Sequence, residues 1–322
     1  MFDVIELNNI TDNDLFVIKW RITHSCNLTC SYCAHEKYRE TYNENCYIQK
    51  KLEDTAKDIS KLLDGIIQNK VKIDLIGGEP TIYNIIKILD NISSSKLKRI
   101  QITTNFTRPL SYYKELAEYL NTRNIELSLT ASFHYQFFDM DIYFEKVKQL
   151  KDLCTIFCCE MVSTIENQDL VKIFENKCLE LDVDFLIDAD TRSRASAYRN
   201  TLYSSNRRKN KNPRYKAVLE DEQGNKFSRT YLTRNDLFHD ININQIHNSR
   251  LFYTKGFYCS VGFNYIYIEF NKIACKTKEN PFCYNRISIP DFKQIKPFKC
   301  ETEKCTLCGN MNLTKFENSN LW

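Results

Sequence analysis

Six short apolar runs alternate with longer amphipathic stretches between Leu15 and Asp190, and this alternation restricts the fold more than any other feature. The runs are LFVIKWRIT, VKIDLIGGEP, LKRIQITTN, IELSLTASF, CTIFCCEMV and VDFLID. Their β-branched and aromatic residues favour strands, and the stretches between them, such as 49–68, have the apolar spacing of helices. The pattern predicts a parallel sheet with right-handed crossovers. Six units are too few for an eight-stranded barrel, so we expect an α/β fold, a partial (β/α)6 TIM-like barrel.

Two expectations follow for this barrel. Continuous apolar strands such as CTIFCCEMV predict burial on both faces of the sheet. Chemistry in such folds lies at the carboxyl ends of the strands. Polar or glycine positions fall at those ends, namely Cys26, Gly77, Gly78, Asn105, Ser132 and Glu160.

Composition limits the class of protein. The chain has 322 residues, of which 43% are hydrophobic, so it can bury a large core. It has no apolar run of the ~18 residues that a membrane span requires, and its first residues lack a secretory pattern. We therefore expect a cytoplasmic protein without membrane contact. In that reducing compartment, fourteen cysteines are better metal ligands than disulfide partners.

Three cysteines occur within eight residues directly after the first predicted strand. Cys26, Cys30 and Cys33 have the spacing C-x3-C-x2-C, with His24 and His35 on either side. The disulfide interpretation is disfavoured by the compartment. A zinc site is compatible with the spacing, with one histidine as the fourth ligand. The third interpretation is an iron–sulfur cluster held by three thiolates, which leaves one iron open to an external ligand.

This motif, with Tyr32 just before its third cysteine, resembles the radical S-adenosylmethionine (radical SAM) superfamily. The resemblance implies that Cys26, Cys30 and Cys33 hold a [4Fe–4S] cluster, and that S-adenosylmethionine chelates its open iron. One electron then breaks the sulfonium bond, and the resulting 5′-deoxyadenosyl radical takes a hydrogen atom from the substrate. The resemblance covers residues from about Leu15 to Asp190.

Other strand ends match the same superfamily. GGEP at 77–80 corresponds to its glycine-rich turn, where glycines let backbone approach the ligand closely. TTN at 103–105 and SFH at 132–134 would suit the ribose and carboxylate of the cofactor, although ordinary turns and strand-end caps explain these residues equally well. The predicted cofactor-binding residues are Tyr32, Gly77, Gly78, Glu79, Pro80, Thr104, Asn105, Ser132, Arg192 and Arg194.

Four residues are predicted to take part in catalysis. Cys158 and Cys159 are either buried small hydrophobes or include a thiol that donates a hydrogen atom to a substrate radical, and strand alternation sends one of them into the barrel. Glu160 would face the adenine or the substrate. His134 is either a proton acceptor or a structural histidine at a strand end.

The C-terminal part changes character. Nine Arg or Lys and no acidic residue lie between 191 and 216, which indicates either a solvated connector or a cationic rim for an anionic substrate. After it, six cysteines occupy a segment predicted to be irregular and poor in strands. The predicted division is an N-terminal extension (1–14), a radical SAM barrel (15–190), a basic connector (191–216) and a small cysteine-rich α+β domain (217–322).

That last domain resembles the twitch domain, a shortened SPASM domain, in which one cysteine before a hairpin, one after it and a late C-x2-C hold an auxiliary [4Fe–4S] cluster. The ligands that this resemblance implies are Cys259, Cys275, Cys305 and Cys308, with Cys300 as the alternate. A zinc ribbon would use the same residues.

We expect an oxidoreductase or isomerase that oxidises, epimerises or rearranges a small polar metabolite, anionic in character, with flavodoxin or ferredoxin as electron donor. The first predicted strand begins near residue 15, so we expect no leader-binding domain in front of it of the kind that many peptide-modifying members carry. A peptide substrate is the alternative. A zinc-stabilised nucleic-acid-binding protein, with aromatic residues in the basic segment, is the interpretation from a different class.

Overall fold

The computed structural model describes residues 4–6, 14–33, 46–189, 202–204, 219–220, 226–233, 238–242, 258–259, 261–275, 285–296, 298–299 and 313–314. Side chains are described within 14–33, 48–187, 261–273 and 286–296, Ile165 excepted.

The strands, in chain order, are β1 (Val4–Glu6), β2 (Leu15–Thr23), β3 (Lys70–Gly77), β4 (Leu97–Thr104), β5 (Glu126–Phe133), β6 (Ile156–Ser163), β7 (Asp184–Ala189), β8 (Leu202–Ser204), β9 (Leu219–Glu220), β10 (Lys226–Thr233), β11 (Phe238–Asn242), β12 (Tyr258–Cys259), β13 (Tyr265–Glu269), β14 (Lys272–Cys275), β15 (Asn285–Ser288), β16 (Phe298–Lys299) and β17 (Leu313–Thr314). The α-helices are α1 (Cys46–Gly65), α2 (Ile85–Leu89), α3 (Leu110–Thr122), α4 (Met140–Leu150) and α5 (Gln168–Glu180).

The larger sheet has the strand order β15-β14-β13-β2-β3-β4-β5-β6-β7-β8. All pairings from β13 through β7 are parallel, whereas β14, β15 and β8 are antiparallel at the two edges. One α-helix follows each of β2 to β6. The six predicted strands and five predicted helices are therefore confirmed, together with the α/β fold class.

The helices cover one face of this sheet. On α1, Leu52, Ala56, Ile59 and Leu63 are buried in the core, and their spacing of three to four residues places them on one side of the helix. The α4 helix begins at a cap, since the Asp139 carboxylate accepts hydrogen bonds from the backbone of Asp141 and Ile142.

The prediction of burial on both sheet faces was wrong. In β6, Phe157, Cys159 and Met161 are buried against the helices, whereas Cys158 and Glu160 alternate with them and are only half-buried. The same alternation runs through β2 to β5. Because the helices cover a single face, the other face forms the barrel interior and tolerates polar side chains. The half-buried polar side chains on that interior face include Lys19, Arg21, Lys72, Asp74, Gln101, Thr103, Thr130, Ser132, Cys158 and Glu160.

The C-terminal part contributes strands to this same sheet. β13 pairs in parallel with β2, from Tyr265 opposite Val17 to Glu269 opposite Arg21, and then forms an antiparallel hairpin with β14. The expectation of a strand-poor segment was therefore wrong. The predicted hairpin between Cys259 and Cys275 is present. The division into domains stays a prediction, although part of the segment 217–322 pairs with barrel strands.

A second sheet has the order β11-β10-β1-β17-β12-β16, with β9 paired to β10. It joins a strand near the start of the sequence to one near its end, because β1 lies between β10 and β17.

Candidate active site

The cysteine loop begins where β2 ends and carries three free thiols. Cys30 is buried, and Cys26 and Cys33 are half-buried. All three pack around an apolar cluster formed by Leu28 and Tyr32. The thiols lie close enough to influence one another electrostatically. Burial raises the pKa of the Cys30 thiol to about 11 and also raises the pKa of Cys26, because a thiolate loses solvation there.

These residues fit an iron–sulfur cluster. One loop presents three thiols on a shared apolar support, and bound cationic iron would favour the thiolate forms that burial alone disfavours. In the part of the chain that the structure describes, no three His, Cys, Asp or Glu side chains meet at the spacing of a single metal ion. His24, one of the two candidates for a fourth zinc ligand, turns to Glu269, with 3.4 Å between its Nε2 and the Glu269 Oε1. The other candidate, His35, lies outside the described residues.

The two glycines after β3 are explained by contact with this loop. A Cβ on Gly77 would lie 2.4 Å from the Thr23 carbonyl oxygen, and one on Gly78 would lie 2.2 Å from that of Ser25. Hydrogen bonds join the two segments, from the Gly78 N–H to the Thr23 carbonyl at 3.0 Å and from the Glu79 N–H to the Ser25 carbonyl at 2.8 Å. Gly77 and Gly78 therefore let the backbone after β3 lie against the cysteine loop. The predicted close approach of the same glycines to a ligand stays a prediction.

Glu79 is fully buried on the helix-packed side of the sheet. Its Oε1 accepts hydrogen bonds from Thr81 N at 2.8 Å, Thr81 Oγ1 at 2.6 Å and Thr104 Oγ1 at 2.9 Å, and its Oε2 accepts one from Asn105 N at 2.5 Å. Burial raises the pKa of this carboxyl, and the hydrogen bonds oppose that rise. These contacts support a positioning role for Glu79 and Thr104, not the direct cofactor contact that the sequence predicted. Pro80, also buried, begins a short 3₁₀ helix after it.

Asn105 links β4 to the cysteine loop. Its Nδ2 lies 2.7 Å from Asn27 Oδ1 and 3.6 Å from Cys26 Sγ. Its Oδ1 accepts hydrogen bonds from the N–H and hydroxyl of Thr107. Asn27 and Thr107 were not predicted from the sequence, because both lie in loops where polar residues are common.

The end of β5 contacts the same loop from the other side. His134 Nδ1 lies 2.9 Å from the Tyr32 hydroxyl and 3.3 Å from Cys30 Sγ. The Tyr32 ring stacks on His134 and Tyr135. Burial lowers the pKa of His134 to about 4, so the imidazole is neutral near pH 7. These contacts support a role in holding the cysteine loop for both His134 and Tyr32, where the sequence predicted a proton acceptor and a cofactor contact.

The two adjacent cysteines of β6 face opposite sides. Cys159 is fully buried among the helices, next to Tyr143 and Cys178, and this position contradicts a catalytic role. Cys158 lies on the interior face, in register with Thr130. Two residues further along β6, on the same face, Glu160 Oε2 accepts a hydrogen bond from Ser132 Oγ at 3.1 Å. Cys158, Ser132 and Glu160 thus form a polar patch on the interior face below the cysteine loop.

Glu269 at the end of β13 was missed by the sequence analysis. Its side chain is 10% exposed and lies against two arginines, Arg21 and Arg286, and against the imidazole of His24. Next to it, the Phe270 carbonyl accepts a hydrogen bond from Trp20 Nε1 at 2.8 Å. The C-terminal hairpin therefore braces β2 where the cysteine loop begins. A single acid in the otherwise apolar strand YIYIE was the available clue.

Several predicted site residues lie outside the described residues. Among them are Arg192, Arg194, Cys300, Cys305 and Cys308, and for Cys259 and Cys275 the structure describes only the backbone. Their assignments as cofactor or cluster ligands stay predictions.

Comparisons with known proteins agree with this site. Residues 20–152 match the family model of the radical SAM superfamily. A probable GTP 3′,8-cyclase of Methanothermobacter thermautotrophicus is 31% identical over 134 residues, which is 41% of either chain. The GTP 3′,8-cyclase of Haemophilus influenzae is 29% identical over 93 residues, which is 28% of this chain and 26% of that protein. The chain thus spans about two fifths, or less, of the length of these curated relatives.

Solved structures are similar only at a low level. Coproporphyrinogen III oxidase (HemN) of Escherichia coli, a radical SAM enzyme, has a TM-score of 0.42 at 13% identity and covers 56% of this chain and 44% of its own. The anSMEcpe structure with bound AdoMet and the peptide Cp18Cys has a TM-score of 0.36 at 19% identity. The match covers 54% of this chain and 50% of that chain. Similarity this weak tells nothing about substrates.

Among the helices that the structure describes, none combines the length and the apolar character needed to cross a bilayer. The family match spans β2 to α4 and thus includes the cysteine loop, the glycine turn and the strand ends around them. This superfamily uses a [4Fe–4S] cluster with S-adenosylmethionine, and the three thiols fit that cluster. We therefore identify residues 20–152 as a radical SAM domain.

Proposed function

We propose that this protein is an enzyme that removes a hydrogen atom from a small polar metabolite, with a [4Fe–4S] cluster at Cys26, Cys30 and Cys33. The observation that carries the proposal is the position of the three free thiols at the rim of a barrel whose interior face is polar. When bound, the cluster and S-adenosylmethionine supply a 5′-deoxyadenosyl radical. The chain holds the cluster and forms the surface that the substrate meets.

The interior face supports a substrate with several polar groups. It presents Lys19, Lys72 and Asp74 on β2 and β3, and the Ser132–Glu160 pair on the opposite side. Positive and negative side chains are mixed, with the Lys72 Nζ 2.9 Å from the Asp74 Oδ1. This mixture favours a ligand with hydroxyls or amides as well as charge. The anionic character predicted from the segment 191–216 depends on residues outside the described part of the chain.

The relatives favour a small molecule over a peptide. The two named above are GTP 3′,8-cyclases, and their name gives a nucleotide as substrate. A nucleotide or nucleotide-linked metabolite has the mixed polarity that suits the interior face. Oxidation, epimerisation and rearrangement of such a substrate all begin with hydrogen-atom removal, and we propose this class of reaction. A peptide substrate is the second candidate.

The C-terminal cysteines complete the proposal. We propose an auxiliary cluster at Cys259, Cys275, Cys305 and Cys308, with Cys300 as the alternate. Because β14 ends at Cys275 and is paired to β13 of the barrel sheet, this ligand would be connected directly to the barrel. The protein would act in a reducing compartment such as the cytoplasm, with flavodoxin or ferredoxin as reductant.

The test is cofactor cleavage by anaerobically reconstituted protein. About four irons per chain are expected for one cluster and about eight for two. Cys30→Ala is expected to abolish the release of 5′-deoxyadenosine under reductant. Cys154→Ala is the matched control, because Cys154 is a buried cysteine just before β6 begins, at the edge of the parallel sheet opposite the cysteine loop. Full release of 5′-deoxyadenosine by Cys30→Ala, or zinc in place of iron, would refute the proposed function.

The substrate class is tested with host-cell extract separated by ultrafiltration. Extra 5′-deoxyadenosine release with the small-molecule fraction is expected and would support a metabolite. Stimulation by the macromolecular fraction alone would support a peptide, protein or nucleic-acid substrate instead.

A further inference from the structure

The amide of Asn105 has a determined orientation. Its Oδ1 faces the Thr107 backbone N–H at 3.2 Å and the Thr107 hydroxyl at 2.8 Å. A backbone N–H can only donate, so an oxygen must occupy this side of the amide. The Nδ2 group therefore faces the cysteine loop, where Asn27 Oδ1 accepts at 2.7 Å and Cys26 Sγ lies at 3.6 Å.

The backbone around Asn105 is held in place. The buried Glu79 carboxylate accepts a hydrogen bond from the Asn105 N–H at 2.5 Å. The next residue, Phe106, has φ +62°, a left-handed conformation that is uncommon outside glycine. Its ring is 3% exposed and packs against Tyr113 and Tyr143. This packing holds the turn that directs Asn105 toward the cysteine loop.

Hydrogen bonds to cysteine sulfur influence the reduction potential of an iron–sulfur cluster. An N–H donor stabilises negative charge on the sulfur, and that charge increases when the cluster gains an electron. Cys26 faces two such donors, the Asn105 amide and the Leu28 backbone N–H at 3.4 Å. The backbone N–H of residue 28 would be present with any side chain at that position, whereas the amide donor is present only because residue 105 is asparagine.

We propose that Asn105 is a positioning and tuning residue whose Nδ2–H bond to Cys26 Sγ raises the reduction potential of the [4Fe–4S] cluster at Cys26, Cys30 and Cys33. This inference rests on the proposed function, because it requires the cluster. It assigns Asn105 a role toward the sulfur, where the sequence analysis predicted contact with the cofactor's ribose or carboxylate.

The test is a redox titration of the anaerobically reconstituted protein, followed by the electron paramagnetic resonance of the reduced cluster. Asn105→Leu removes the donor at similar volume. At a fixed potential, its ratio of reduced to oxidised cluster is expected to fall about tenfold, a negative shift of ~59 mV for a one-electron couple. Asn27→Ala is the matched control. It removes the Oδ1 acceptor of the same amide and the bond from Asn27 Nδ2 to Thr107 Oγ1 at 3.0 Å, but it leaves both Thr107 donors and the bond to sulfur in place.

A second variant is needed because Asn105→Leu could lose iron. Thr107→Val keeps Asn105 but removes one of the two donors that orient its amide, and we expect a fall of about threefold in the same ratio. An unchanged reduction potential in Asn105→Leu refutes the inference. If Asn105→Leu binds no iron, an unchanged potential in Thr107→Val refutes it instead. An equal shift in Asn27→Ala also refutes it. If the unmutated protein forms no reducible cluster, the proposed function fails, and this result is distinct from an unchanged potential in the variants.

Discussion

Gly78→Ala is the substitution whose effect follows most directly from the geometry of the site. The added Cβ would lie 2.2 Å from the Ser25 carbonyl oxygen, and Cβ contacts under 3.0 Å essentially do not occur. Either the glycine turn or the cysteine loop must therefore move by about 0.8 Å, the difference between these distances. Both partners are backbone, so no flexible side chain can relieve the contact. The movement separates the turn from the residue next to Cys26.

The expected cost follows from the bonds that this movement stretches. The hydrogen bonds from Gly78 N to Thr23 O and from Glu79 N to Ser25 O join the two segments. Each contributes about 1 kcal/mol net, so the unfolding free energy is expected to fall by about 2–3 kcal/mol once residual strain is included. We also expect the variant to retain less iron than the unmutated protein, because the three thiols no longer keep their relative positions.

The assay is urea unfolding of the apo protein together with iron content after anaerobic reconstitution. Gly65→Ala is the matched control, because a Cβ on Gly65 at the end of α1 meets nothing within 4 Å. This control is expected to be neutral or stabilising by up to about 1 kcal/mol. A Gly78→Ala variant with unchanged unfolding free energy and iron content would show that the close contact does not constrain the loop.

Three further predictions concern residues around the site. Burial lowers the pKa of Lys146 to about 8 from 10.5. Between these values the unfolded chain binds more protons than the folded chain, so stability should rise with pH across that window. The expected gain is about 1 kcal/mol after solvent screening, and urea unfolding at pH 7.5 and 9.5 should show this gain in the unmutated protein but not in Lys146→Met. Cys158→Ala should keep 5′-deoxyadenosine release but lose product, measured by chromatography, whereas Cys159→Ala should keep both; equal product yields would remove Cys158 from the mechanism. Glu269→Gln should lower the unfolding free energy by about 2–3 kcal/mol, because Arg21 and Arg286 lose the charge of a nearly buried carboxylate, and an unchanged urea midpoint would contradict this role.

The barrel could be predicted from local sequence because each of its units is short and repeats the same pattern. Apolar runs of eight or nine residues alternate with amphipathic stretches, and this pattern determines the parallel strands and their helices. The cysteine spacing is also local, so it could be interpreted without tertiary information. Both confirmed predictions depend on residues that lie close together in the chain.

The errors have a physical cause in each case. Burial on both faces was inferred from strand composition, but the number of covering layers decides burial, and the helices that the structure describes cover one face. Cys158 and Cys159 are neighbours of identical type, so only the strand's orientation distinguishes them. The pairing of β13 with β2 joins residues 248 positions apart, such as Glu269 and Arg21. No local pattern encodes such a pairing, since either edge of an open sheet can accept a strand.

The role of Glu79 illustrates why site residues are harder to assign than the site itself. Its position after the glycine pair suggested ligand contact, yet its backbone N–H bonds to Ser25 and its carboxylate to Thr104 and Asn105. One buried residue therefore joins the ends of three strands, β2, β3 and β4. A buried carboxylate is stable only when such donors surround it, so Glu79 requires these strand ends to stay together. The cysteine loop, the glycine turn and Asn105 thus form one unit, and a displacement of any of them changes the surroundings of Cys26.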